Sequence, residues 1–563
     1  MKANRSIRYQ EAVRAILGVM KAGQLSAGAR LPSVRALMER HGFSAAAIQK
    51  AYRVLVERGT VVSRPRSGFY VPGARQSMAG GPQAHGGMLS DAHLYQRLAA
   101  LIQDAIENGT LAPGARLPSV RELSETRGVS ISTTMQAYQW LADRGAILAK
   151  PRSGYFVAQQ RQARLGLPRA SATARKASAV SISNAVAVFL EYAHDPAYVQ
   201  LGCAVPDQAF LRSDRLDALL ARGARRHGAR HNIYNSAQGI ESLRQEIAKH
   251  AMRDGRAVPP EDIIVTNGCT EAVTLALLTL VRRGGTVAVE SPTYYGLLHT
   301  LEALGIKVLE VATDPVRGVD PEALGRLARE HPLSAVVLAS RVNNPLGCVM
   351  KEEDKFALLK ELKKRSIPLI EDDVYGDICF GREISRPFHV LDPEADVTYC
   401  SSFSKTIAPG YRIGWVYARR HVQRLTDAKL ALNLCSPTLA QMALAEFMAS
   451  GAYEGHLRKL RASLEANLME LRRAVEACFP ADTRISRPHG GFSLWVELRR
   501  GADTQKLFAA ALERGICFTP GEIFSGSRRF KNCLRLSAGS AWDSRMHAGI
   551  RVLGELVRGQ LAD

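Results

Sequence analysis

A chain of 563 residues, 46% hydrophobic and 23% charged, is too long for one core and too ordinary in composition to be fibrous or disordered, so two or three globular domains are expected. No apolar run approaches the ~20 residues that span a bilayer, and the N-terminus lacks the apolar stretch of a secretory signal, so a cytoplasmic protein with no membrane partner is expected. The net charge of +22 is unevenly placed: residues 1–160 carry +12 and residues 161–180 carry +5, so a polyanion partner belongs to the first third.

The first third contains a duplication. Gly28-Ala29-Arg30-Leu31-Pro32-Ser33-Val34-Arg35 recurs unchanged as Gly114-Ala115-Arg116-Leu117-Pro118-Ser119-Val120-Arg121, and from residue 28 to 71 the offset of 86 keeps 22 identities in 44 positions. Each copy reads as three helices and a ribbon. A first amphipathic helix (about 9–22; 94–108) ends at Gly23 or Gly109. Ser33 and Ser119 cap a short second helix that stops at Gly42 or Gly128, and Ser44 and Ser130 cap a third that stops at Gly59 or Gly145. Two β-rich runs around Pro65-Arg66-Ser67-Gly68, or Pro151-Arg152-Ser153-Gly154, then form a hairpin with a basic tip.

Helix, turn, helix and basic ribbon make an α+β winged helix-turn-helix, and the Leu-Pro-Ser-x-Arg start and Pro-x-Ser-Gly wing resemble the GntR family of transcription regulators, twice over. The resemblance implies double-stranded DNA as partner, with the third helix in the major groove. Arg35 and Arg121 then contact phosphate or a base edge, and Arg66 and Arg152 on the wings add phosphate contacts. Copy one opens its third helix with Ala45-Ala46-Ala47, whereas copy two keeps Ser132, Thr133 and Thr134 there, so copy two is expected to do most of the base reading.

The expected boundaries are residues 1–73 for the first reader, 74–90 for a Gly, Gln and Ser-rich linker, 91–158 for the second reader, 159–180 for a mobile basic tether and 181–563 for a large domain. The tether leaves two readings open, an arm along the DNA backbone or plain linker. After residue 181, short apolar runs such as Ile263–Val265, Thr286–Val289, Ala335–Leu338 and Pro368–Ile370 alternate with amphipathic helices, which predicts an α/β domain with a mostly parallel sheet. Ligands in such sheets sit at the carboxyl ends of the strands. All nine cysteines fall after residue 200 without metal-binding spacing and read as small buried hydrophobes, so no metal is expected.

The strand ends carry a consistent series. Asn267-Gly268-Cys269-Thr270 opens a helix and can bind a phosphate; Tyr294-Tyr295 offers an aromatic to stack on a planar ring; Asn344 can donate to a phenolate; Glu371-Asp372-Asp373 offers a carboxylate suited to a pyridinium nitrogen, with Tyr375 close by. Ser401 to Trp415 then combines an amine, Lys405, with hydroxyls and Arg412, an amine for Schiff-base chemistry beside an anion cradle.

In this order, residues 190–560 resemble a fold-type I aminotransferase of the aspartate aminotransferase class, which implies pyridoxal 5′-phosphate as cofactor. The resemblance implies that Lys405 forms the aldimine, that Asp372 pairs with the ring nitrogen, that Asn344 and Tyr375 bond the ring oxygen and that Tyr294 stacks on the ring. It assigns the phosphate to Gly268, Cys269, Thr270, Ser402 and Arg412, the substrate α-carboxylate to Arg535, and a contact to the neighbouring subunit's phosphate to Tyr234, hence a homodimer. Reader plus aminotransferase-like domain is the organisation of the MocR subfamily of GntR regulators, here with a second reader. A regulator that senses the cofactor or an amino-acid-like effector is preferred; an active aminotransferase working on an α-amino acid and a 2-oxo acid is the alternative.

Overall fold

The computed structural model describes residues 91–562 except 108–109, 113, 144–145, 151–153, 158–164, 181–183, 212, 229–231 and 382–384; of the first 90 it describes 16, 29, 31–32, 36–38, 48, 51–52, 55, 61–64 and 68–70. The expected linker 74–90 lies outside these. The chain divides into two compact units, Met1–Leu98 and Ala99–Asp563.

In the first unit the described core is Ile16, Leu31, Leu37, Ile48, Ala51, Tyr52, Leu55 and Val61. Strand Val62–Arg64 pairs antiparallel with Gly68–Tyr70. Tyr52 donates to the carbonyl of Pro32 and stacks on Phe69 with centroids 4.0 Å apart, while the Leu31 amide bonds Phe69 at 2.7 Å.

The second reader repeats this lock 86 residues on. Tyr138 donates to the Pro118 carbonyl at 2.6 Å, its ring lies 4.6 Å from Tyr155, and the Leu117 amide bonds Tyr155 at 2.8 Å. Its elements are helices α1 (Asp91–Glu107), α2 (Val120–Arg127) and α3 (Ile131–Asp143), then the hairpin of Ile147–Lys150 with Gly154–Val157. Ser119 and Glu122 form a reciprocal capping box on α2, Gly128 ends it at φ 63°, and Ser130 accepts from the Thr133 amide to cap α3.

The large domain is built on a nine-stranded sheet. Eight of its strands, β1 (Ile263–Thr266), β2 (Thr286–Ser291), β3 (Lys307–Asp314), β4 (Gly318–Val319), β5 (Leu333–Leu338), β6 (Leu369–Asp372), β7 (Val397–Ser402) and β8 (Gly414–Tyr417), lie in the order β4-β3-β2-β5-β6-β7-β8-β1, and the ninth, Ser178–Ala179, pairs with β3. From β3 to β7 all neighbours are parallel, because the apolar runs are buried on both faces and helices cross between them. Antiparallel β8 returns the chain, so β1 again runs parallel to β7, and Ser402, Gly414 and Thr266 fall in one row across three strands. A smaller sheet places Arg535 opposite both Trp495 and Thr519.

The expected mobile tether is different in its second half. Residues 165–180 run along the large domain: Gly166 bridges Arg484, the Ser171 amide bonds Thr313, Ala174 bonds Glu310, Arg529 donates to the Ala172 carbonyl, and Ser178–Ala179 adds an antiparallel strand to the free edge of β3. Composition misled here, since a short polar segment can satisfy its backbone on an open sheet edge without an apolar pattern of its own. Residues 159–164 lie outside the described residues.

Candidate functional site

Beyond the carboxyl ends of β1, β2, β5, β6 and β7 lies a cavity of about 280 Å³ whose walls include Lys405, Asp372, Asn344, Tyr375, Tyr294, Cys269, Thr270, Ser402, Ser404 and Arg412. Ten positions drawn from five separate strand ends thus meet in one space, because parallel strands release their chains at the same edge of the sheet.

Lys405 closes a short helical turn that follows β7, capped by Ser402 on the Ser404 amide. Its Nζ donates to the Ala204 carbonyl at 2.6 Å. Burial lowers the amine to about 8, Arg535 and Arg412 push the same way, and Cys203 and Asp372 oppose. Asp372 ends β6; its Oδ1 accepts from the Cys269 thiol at 3.3 Å and from the Val374 amide at 3.3 Å. Burial raises this carboxyl, which those two bonds partly offset. The Asn344 amide lies 3.5 Å from the Tyr375 hydroxyl, and burial raises the phenols of both Tyr375 and Tyr294.

At the opposite wall, helix α4 (Cys269–Leu280 in the large domain) starts on Gly268 at φ 83°, without a side-chain cap. A Cβ at Gly268 would stand 2.5 Å from Nη2 of Arg412, so only glycine lets the guanidinium reach the helix start. Arg412 also donates to Ser404 Oγ at 3.1 Å and to the Asn267 carbonyl at 3.3 Å. Helix N-terminus, two serines and an arginine form a set of donors suited to a phosphate.

Arg535 is 1% exposed and stands behind Asn344, to whose Oδ1 it donates at 3.2 Å; its Nη2 bonds the Gly202 carbonyl at 2.6 Å and Thr519 at 3.1 Å. Tyr234 is outside the cavity and 80% exposed, in an open hollow with Ile233, Asn267, Arg412 and Thr438. The sequence reading missed Ser404, whose serine-x-serine spacing with Ser402 was the available signal, and Phe189, Cys203 and Tyr295, which no local pattern marks.

In the second reader, Arg121 is exposed at the start of α2 and Ser132 is exposed on α3. Thr133 and Thr134 are buried, Thr133 beside Ser130 at 2.7 Å and Thr134 donating to the Ser130 carbonyl, so neither can read a base. The outward stripe of α3 is Ile131, Ser132, Met135, Gln136 and Gln139, repeating at helical spacing on the face opposite buried Ala137 and Tyr138. Of the three hydroxyls expected to favour the second copy, Ser132 alone is exposed. Arg35, Arg66 and Arg152 lie outside the described residues.

Fold and site together define a fold-type I aminotransferase-like domain joined to winged helix-turn-helix readers. Residues 207–548 match the family Aminotransferase class I and II, and residues 8–71 and 94–157 each match Bacterial regulatory proteins, gntR family. The HTH-type transcriptional regulators YjiR and YdcR of Escherichia coli are 36% and 35% identical over 468 residues, which cover 82% and 83% of this chain and 98% and 99% of theirs. The α-aminoadipate aminotransferase LysN of Thermus thermophilus, solved in complex with N-(5'-phosphopyridoxyl)-L-leucine, superposes with a TM-score of 0.63 at 26% identity, over 68% of this chain and 96% of its own. The chain belongs to the GntR-family transcription regulators that carry an aminotransferase class I and II domain, the MocR type.

Proposed function

We propose that this regulator senses an α-amino compound through pyridoxal 5′-phosphate held in the 280 Å³ cavity, and that occupancy alters how its readers engage DNA. The observation that carries this is the meeting of Lys405, Asp372, Tyr375, Asn344 and the Arg412 cradle in one cavity of a chain with two GntR readers. The residues fit the cofactor: the donor set at Gly268, Cys269, Thr270, Ser402 and Arg412 suits its phosphate, Tyr294 its ring face, Asp372 its ring nitrogen, and Asn344 with Tyr375 its ring oxygen. When bound, the cofactor supplies an aldehyde and an electron-withdrawing ring.

The chain supplies the rest. Lys405, lowered to about 8, holds a usable fraction of neutral amine near pH 7 and can take up or release a proton at Nζ. Asp372 presents a carboxylate whose Oδ1 is fixed by Cys269 and Val374. Arg535, braced by Asn344 and Thr519, offers a buried cation for the ligand's carboxylate. Arg121 and Ser132 contact DNA, with Arg35, Arg66 and Arg152 as phosphate contacts of the remaining helix and wings. A homodimer would carry Tyr234 toward the partner's phosphate site, which accounts for an aromatic ring left 80% exposed. The protein works in the cytoplasm, on the nucleoid when DNA-bound.

The test follows Lys405→Ala in the full chain. It should lose the cofactor's visible absorbance and the amino-acid effect on operator binding, while affinity for DNA without ligand stays within about threefold. A ligand effect that survives in this variant removes Lys405 from the mechanism. Repeated turnover with a 2-oxo acid and no change in DNA affinity would instead favour an enzyme.

A further inference from the structure

Once the groups that suit the cofactor are set aside, one side of the remaining cavity wall is formed by Phe189, Leu190, Ala193, Val205, Tyr295 and Leu297, with Cys203 and His194 beside them. The rings form a connected corner: Phe189 and Tyr295 meet edge to face at 6.1 Å, and Tyr295 meets Phe524 in the same way at 6.0 Å. Phe524 lies in turn under the guanidinium of Arg535, 5.2 Å from its centroid. The aromatic corner therefore adjoins the cation that suits a carboxylate.

Full charges are scarce on this side. Among the described lining residues the cations are Lys405 and Arg412, and the carboxyls are Asp372 and Glu290. Glu290 is buried, and burial pushes its carboxyl up to about 8, so it is mainly neutral at pH 7. The thiol of Cys203 lies 3.7 Å from Nδ1 of His194, and burial raises that thiol, so Cys203 brings no thiolate charge to the corner. A charged side chain in this corner would lose its water without gaining a counter-ion, whereas an apolar one would be drawn in by burial and by edge-to-face ring contact.

We propose that the ligand is an α-amino acid with an uncharged apolar side chain, aromatic or large aliphatic, seated on Phe189 and Tyr295 with its carboxylate on Arg535. This names the ligand class for the sensing site and rests on that reading. The ligand class is thereby separated from the dicarboxylic and dibasic amino acids, whose second charge finds no charged Asp, Glu, Lys or Arg among the described lining residues beyond those that suit the cofactor.

The experiment titrates the cofactor-loaded full chain with L-phenylalanine, L-leucine, L-aspartate and L-lysine, following visible absorbance. Phenylalanine and leucine should act at concentrations roughly tenfold or more below those needed for aspartate or lysine. Aspartate or lysine acting at equal or lower concentration overturns the ligand class and leaves the sensing function standing. No spectral change with any amino acid overturns both. Tyr295→Ala, at a half-buried position, should weaken phenylalanine by roughly tenfold and aspartate much less. Equal weakening of the two would show that Tyr295 supports the site as a whole and would overturn its place in side-chain choice.

Discussion

Arg535 and Asn344, 191 residues apart, share a buried hydrogen bond of 3.2 Å from Nη1 to Oδ1. The bond ties the smaller sheet to the loop after β5, so the cation offered to a carboxylate and the amide beside Tyr375 are one mechanical unit. Arg535→Lys keeps the charge but cannot reach Asn344, Gly202 and Thr519 together. Ligand affinity should fall by about tenfold to a hundredfold. Asn344→Ala should weaken it too, and the double variant should lose less than the two effects combined, a coupling on the order of 1 kcal/mol. Strict additivity in the titrations would mean that the two residues act independently.

Gly268→Ala tests the phosphate cradle. The new Cβ would stand 2.5 Å from the Arg412 guanidinium at a φ of 83° that L-residues resist. A stability loss of about 1 kcal/mol is expected from the backbone. The larger effect should be on cofactor retention during dialysis, because the arginine must swing out of the cradle to make room. Gly451→Ala, also at positive φ but with open space around it, should cost similar stability and leave retention unchanged.

On α3 the outward Gln136 can pair bidentately with an adenine edge, while buried Thr134 cannot. Gln136→Ala should relax preference at one operator position by about 1–3 kcal/mol. Arg121→Ala should weaken all sequences alike and lower the salt slope by about 1. Thr134→Val should leave operator preference intact and show its effect in thermal unfolding. A change of base preference in Thr134→Val would contradict the inward placement of that residue.

His250 lies 2.9 Å from Asp377 and 3.2 Å from Glu454, with Arg253 and Tyr453 nearby. Burial opposes its charge, yet the two carboxylates prevail and raise the imidazolium to about 9 from its ordinary 6.5. A pKa raised by folding means tighter proton binding in the fold. The stabilisation is complete below about pH 6.5 and fades as pH rises through 9, on the order of 3 kcal/mol in all. His250→Gln should therefore lose most stability relative to the parent at pH 6 and little at pH 9.5. A gap that does not change with pH would show that His250 contributes through packing alone.

Much was legible in the order of residues. The duplication, the capping box of Ser119 with Glu122, the αL stop at Gly128 and the alternation of apolar runs with helices all depend on neighbours within a few positions, where periodicity and turn chemistry act. The strand ends that carry Gly268, Tyr294, Asn344, Asp372 and Lys405 could be placed because a parallel α/β sheet exposes those ends together.

Other features required the fold. Which hydroxyls of α3 face out turned on helical phase against Ala137 and Tyr138, and the segment Ser171–Val180 turned on an open edge at β3 that its own composition does not announce. Cys269 meeting Asp372 and Arg535 meeting Asn344 join positions 103 and 191 residues apart. Such contacts are set by strand order and sheet packing, which bring distant residues together with no trace in local spacing. The aromatic corner of Phe189, Tyr295 and Phe524 is of this kind, so the proposed ligand class rests on packing where the class of protein had emerged from motif.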